Sequence, residues 1–138
     1  MKQLIDKFLN IEKEISQEQG ALSLFTLLLR EESQNKWDIV LSAPWFSKDK
    51  VLVLKYIVKK LRKNLEQKTL TGLSRVILLD HNDPFVLNVN SIIKTEHSTT
   101  EFKNCQFNNI YVKHAFIITS QKVSKTKSVN DKTIIKGL

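Results

Sequence analysis

Apolar residues near the start of the chain fall at Leu4, Ile5, Phe8, Ile11 and Ile15, a spacing that gathers them on one side of a helix. Lys7, Lys13, Glu14 and Glu18 form the wet side, and Gln19 with Gly20 supplies a stop, because glycine tolerates the left-handed backbone common just past a helix. The pattern predicts a helix over residues 2–18. Residues 21–31, ALSLFTLLLRE, are almost wholly apolar, which suits a buried strand or a continued helix. The stop at Gly20 and the polar turn at 31–36 favour the strand. The β-branched and aromatic content of WDIVLSA (37–43) predicts its antiparallel partner.

Ser47 then reads as a helix N-cap, with Asp49 near the positive end of a long helix over 48–66. Val51, Leu54, Val58, Leu61 and Leu65 form its predicted buried stripe, widened by Leu52, Tyr56 and Ile57. Lys55, Lys59, Arg62, Lys63 and Glu66 occupy the opposite side. After Thr71 and Gly72, the run LSRVILLD (73–80) has the continuous apolar core of a central strand. Strand, helix and strand in succession predict a right-handed parallel crossover.

Asp83 and Pro84 form an N-cap and first-turn pair, and Phe85, Val89, Ile92 and Ile93 continue at helical spacing. The competing reading is a strand over 85–93, since Phe85, Leu87, Val89 and Ile93 also alternate; the cap favours a short helix. EFKNCQFNNIYVKHAFIITS (101–120) predicts a hairpin turning at Asn108 and Asn109, which accept positive φ better than most residues. The expected fold is a single α/β or α+β domain over residues 1–120. It has a mixed sheet of about five strands (hairpin, βαβ crossover, terminal hairpin) packed with two or three helices. Residues 121–138, rich in Lys, Ser and Thr, lose this periodicity and are expected to form a basic, mobile tail.

Composition narrows the class without naming an activity. The 138 residues are 41% hydrophobic and 26% charged, ordinary for a soluble globular protein, and only three glycines are present to build a phosphate cradle. The single cysteine, Cys105, allows no internal disulfide and no cysteine-built zinc site; it reads as a small buried hydrophobe. Charges interrupt the apolar positions of the N-terminus, unlike a signal peptide, and no stretch approaches the ~18 apolar residues of a membrane span. The expectation is a cytoplasmic protein without a membrane partner.

The net charge of +8 is unevenly spread: residues 48–68 carry eight Lys/Arg against two Asp/Glu, and 121–138 carry five against one. A basic helix face at Lys55, Lys59, Arg62 and Lys63 therefore becomes a candidate binding surface for phosphates or acidic side chains, weighed against the plain solvated face that lysines usually make. No helix-turn-helix, aromatic RNA-binding motif or zinc module accompanies it.

A second candidate lies where parallel strands 37–43 and 73–80 would open their carboxyl ends on one edge, the usual ligand edge of an open α/β sheet. Ser42, Trp45 and Ser47 would meet Asp80, His81 and Asp83 there, with Asp80 and Asp83 as oxygen ligands to a divalent cation and His81 as an imidazole ligand. The plainer reading makes Asp83 a helix cap, Asp80 part of a turn, and Trp45, like Trp37, a core filler. Ser42 and Ser47 lack the G-x-S-x-G elbow of an exposed nucleophile. A phosphate at the start of the 48–66 helix, beside Lys48 and Lys50, lacks any glycine in its loop.

Two functions follow. The first is a binding or adaptor domain that contacts an acidic protein or nucleic acid through the basic helix and tail, with self-association or a partner chain. The alternative is a small metal-dependent hydrolase with its site at the carboxyl ends of the two strands. No motif identifies a cofactor.

Overall fold

In the computed structural model, which describes residues 2–31, 35–47 and 49–123, five strands form one mixed sheet. The chain runs α1 (Lys2–Gln19), β1 (Leu24–Leu29), β2 (Trp37–Ser42), α2 (Lys50–Asn64), α3 (Gln67–Thr71), β3 (Leu73–Leu79), α4 (Pro84–Ile92), β4 (Thr100–Phe107) and β5 (Ile110–Ser120). Strand order is β3-β2-β1-β5-β4; β2 and β3 are parallel, and the other neighbours are antiparallel. The hairpin, the parallel crossover and the terminal hairpin of the sequence reading are all present. The segment from residue 124 onward, most of the expected tail, lies outside the described residues.

β1 is the middle strand, and its leucine content follows from burial on both faces. Phe25 and Leu27 join Ile39, Leu41, Phe116 and Ile118 beneath α1 and α2. Leu24 and Leu28 join Val40, Ala115 and Ile117 beneath α4. A strand pressed from both sides needs apolar residues at every position, which erases the alternation that would otherwise mark it. α1 buries Ile5, Phe8, Ile11 and Ile15 as its spacing predicts, and Gly20 beyond it adopts φ 121°. Asn108 and Asn109 turn the last hairpin at φ 48° and 66°. Asp83 caps α4, its carboxylate accepting from the Phe85 N–H at 2.8 Å, so the helical reading of residues 83–93 holds.

Four expectations are corrected. Pro44–Ser47 forms a 3-10 turn, so the long helix starts later; its cap is Asp49, whose carboxylate accepts from the N–H groups of Val51 and Leu52, and not Ser47. The helix ends at Asn64, and the separate short helix α3 follows. The buried stripe of α2 is Val53, Ile57 and Leu61, with Leu65 at its end, whereas Val51 and Leu54 of the expected stripe are 63% and 38% exposed. The helix is rolled toward α1, where Tyr56 and Lys60 meet Glu14 and Glu18. Finally, among the described strands β3 lies at the edge of the sheet and not at its centre, and its apolar run is only half covered.

Candidate functional site

Parallel pairing of Ser42 with Leu79 does bring the carboxyl ends of β2 and β3 to one edge. Leu24 and Ser120 arrive there too, through the antiparallel neighbours. That edge is filled by polar packing. The Asn90 amide donates to the Ser23 carbonyl and to Ser120 Oγ at 3.1 and 3.0 Å, and Ser120 Oγ donates to the Ile93 carbonyl at 2.8 Å. Ser42 is fully buried, its hydroxyl oxygen without a hydrogen-bond partner among the described residues.

Trp45 is 2% exposed, set edge-on to Phe46 with ring centroids 4.7 Å apart, and its indole N–H donates to the Gly20 carbonyl. Asp80 pairs with Lys50 at 2.9 Å, Asp83 is occupied as the α4 cap, and His81 is half-buried beside them. Among the described residues no group of three His, Cys, Asp or Glu side chains is placed to hold a metal ion.

α2 divides its cations into two sets. Lys60 is nearly covered, its ammonium 3.0 Å from Glu14 and 2.6 Å from Glu18, clamping α2 to α1. Burial works to lower the Lys60 pKa, but the hydrogen bonds from its ammonium to Glu18 and Glu14 outweigh it, and the net shift is upward. The same contact, followed by the Tyr56 hydroxyl, lowers the pKa of Glu18. Lys55, Lys59, Arg62 and Lys63 stand outside this clamp, all exposed. Lys63 is near enough to Glu18 to contribute to its lowered pKa, and Lys55, Lys59 and Arg62 form no ion pair with any described residue. The 1.5 Å helical rise spreads the four over ~12 Å of one face. Leu52, 48% exposed, falls in the same sector two turns before Lys59 and three before Lys63.

Two buried acids escaped the sequence reading. Asp38 on β2, its side chain 2% exposed, is held by Arg30 at 2.6 Å and by Arg75 of β3 at 2.9 Å. Burial would raise its pKa, but the Arg75 and Arg30 bonds prevail and hold it below the usual carboxylate range. Glu12 is wholly buried on α1, accepting from Ser16 Oγ at 3.0 Å and bonding His97 Nδ1. The available signal was positional: Glu12 falls among Phe8, Ile11 and Ile15 on the apolar side of α1, and Asp38 sits inside a strand buried on both faces. Cys105 is half-buried on β4, and burial pushes its thiol pKa up, away from reactivity.

A surface recess of about 680 Å³ runs between the C-terminal half of α2, α3 and β3, lined by Val58, Leu65, Leu70, Val76 and Arg62 among others. No helix among the described residues is long and apolar enough to cross a membrane. No protein-family model matches the chain, and neither a curated protein nor a solved structure matches it.

Proposed function

We propose that the protein is a non-catalytic binding domain whose outer α2 face, Lys55, Lys59, Arg62 and Lys63 around Leu52, contacts an acidic partner protein. The observation that carries this reading is the division of labour on α2. Lys60 pairs with the local acids of α1, and Lys55, Lys59 and Arg62 form no ion pair among the described residues. Unpaired cations on a rigid helix attract an acidic surface without first breaking bonds of their own. An exposed leucine among them supplies apolar contact, as protein interfaces require and a phosphate backbone does not. The carboxylates at the carboxyl edge are engaged by Lys50 and by the α4 cap, which leaves catalysis without comparable support.

The test compares two quadruple variants on an immobilised polyglutamate column. Neutralising Lys55, Lys59, Arg62 and Lys63 to Gln should reduce retention well beyond neutralising the exposed Lys13, Lys36, Lys103 and Lys113. Equal loss in both would mean that net charge alone drives retention and would refute the assignment. Stronger selective loss on an immobilised oligonucleotide than on polyglutamate would replace the acidic protein by nucleic acid.

A further inference from the structure

The two sheet edges are built differently. β4 carries Glu101, Lys103 and the left-handed Asn104 at φ 52°, charges and an irregularity that discourage another strand from pairing. β3 has one charge, Arg75, which is drawn inward to Asp38, and a register irregularity at its start; beyond these it presents the continuous apolar run Val76, Ile77, Leu78 and Leu79, and no described strand pairs with its outer side. Beside it, on the same edge, Val51 and Leu54 of α2 stand exposed and Val58 lines the recess. Among the described residues, the backbone donors and acceptors of this edge and the neighbouring apolar helical stripe are both left uncovered, the two features that a partner of matching layers would cover together.

We infer that this face is covered by a second copy of the chain, β3 pairing antiparallel with β3 of the partner copy and α2 lying antiparallel to its counterpart. Self-complementarity argues for this occupant. Val51 on α2 and Leu65 just past its end lie seven residues either side of Val58, and Leu54 and Arg62 lie four either side. A two-fold axis at Val58 therefore sets Val58 against itself, the exposed Val51 into the recess that the buried Leu65 helps to line, and Leu54 against the aliphatic stem of Arg62.

The strand obeys the same axis. Lys50 at the start of α2 bonds Asp80 at the end of β3, and the recess joins Leu65 to Leu73 at the other end, so Val58 lies beside the middle of the strand. Antiparallel pairing about Ile77 sets Val76 against Leu78, Arg75 against Leu79 and Ser74 against Asp80, with side chains on matching faces. The face is about 23 Å long and roughly 20 Å deep, on the order of 450 Å² in projection, and side-chain relief raises its accessible area toward the ~800 Å² that each side of a stable pair buries. This inference does not rest on the proposed binding face, although it draws the stem of Arg62 into the seam; Lys55, Lys59 and Lys63 would project from both copies on one side of the joined sheet.

Light scattering coupled to size exclusion on the full chain should give twice the 16.0 kDa protomer mass. Leu54→Arg sets an arginine against Arg62 of the other copy and should weaken the dimer at least about 100-fold while leaving the melting curve of the protomer intact. Adding Arg62→Glu should restore the dimer mass, because positions 54 and 62 are too far apart along one helix to pair within it. Val51→Arg, at the most exposed position of the stripe, serves if Leu54→Arg does not fold. A monomeric wild type, a dimer that Leu54→Arg leaves unchanged, or a failed rescue would each overturn the arrangement.

Discussion

Arg75 Nη2 stands 2.9 Å from Asp38 Oδ2 across the parallel β2–β3 pair, tying β3 to its neighbour through a buried carboxylate. Arg30 grips the same oxygen from the far side, so the carboxylate is compensated by two guanidinium groups that still reach solvent in part. Asp38→Asn keeps the shape and removes the charge. Hydrogen bonds to charged groups contribute about 1.5–3 kcal/mol each at most, and the arginines can recover water, so a loss of about 2 kcal/mol is expected by urea denaturation. A loss below about 0.5 kcal/mol would mean that the cluster does not stabilise the fold.

The same pair sets a pH dependence. The folded-state pKa of Asp38 lies below its unfolded value, so its contribution is complete above about pH 4 and is lost as pH falls through the folded pKa. The stability gap between wild type and Asp38→Asn should therefore hold at neutral pH and close progressively in the acid range. A gap that is constant down to the acid transition would contradict the charged pairing.

Lys60 and Lys59 are adjacent in sequence but differ in role. Lys60→Gln cuts two links between α1 and α2 and should cost about 1 kcal/mol, whereas Lys59→Gln should fall within the noise of a surface change. Because the Lys60 pKa is raised by folding, its contribution is present below about pH 10.4 and disappears as pH climbs through the folded value. Equal effects for the two substitutions, read by chemical denaturation at neutral pH, would remove the distinction on which the binding face depends.

Trp45 is a core residue, so its removal should be felt as packing. Trp45→Ala empties a site flanked by Phe46 and breaks the bond to the Gly20 carbonyl, with an expected loss of about 3–5 kcal/mol in denaturant midpoint experiments. A change of less than about 1 kcal/mol would mean that the ring lies at the surface.

How far the fold can be read from sequence depends on the range of the interactions that decide each element. The turn at Asn108–Asn109, the Asp83–Pro84 cap and the apolar side of α1 are local, and they read correctly. The place of β3 is not local. Its apolar run looks like that of a buried strand, and only the strand order reveals an edge. The roll of α2 was hidden for a similar reason. Val53, Ile57 and Leu61 form as good a helical stripe as Val51, Leu54 and Val58, and the choice between them is made by Glu14 and Glu18 on α1. Of the candidate residues, the lysine face was legible because charge blocks survive any packing. The partners of Asp38 and Glu12 were not, since Arg75 and His97 lie far along the chain.

The most direct test of the proposed binding face is the salt dependence of affinity for a polyanionic probe, taken by titrating fluorescent polyglutamate across a range of salt concentrations. Each cation that displaces a condensed counterion adds to the slope of log affinity against log salt, by roughly 0.7–0.9 for nucleic acids and by a smaller amount on a less densely charged chain. Wild type should show a steep slope that collapses when Lys55, Lys59, Arg62 and Lys63 are replaced by Gln and is nearly unchanged when Lys13, Lys36, Lys103 and Lys113 are replaced. Equal slopes in the two variants would contradict the proposed binding face.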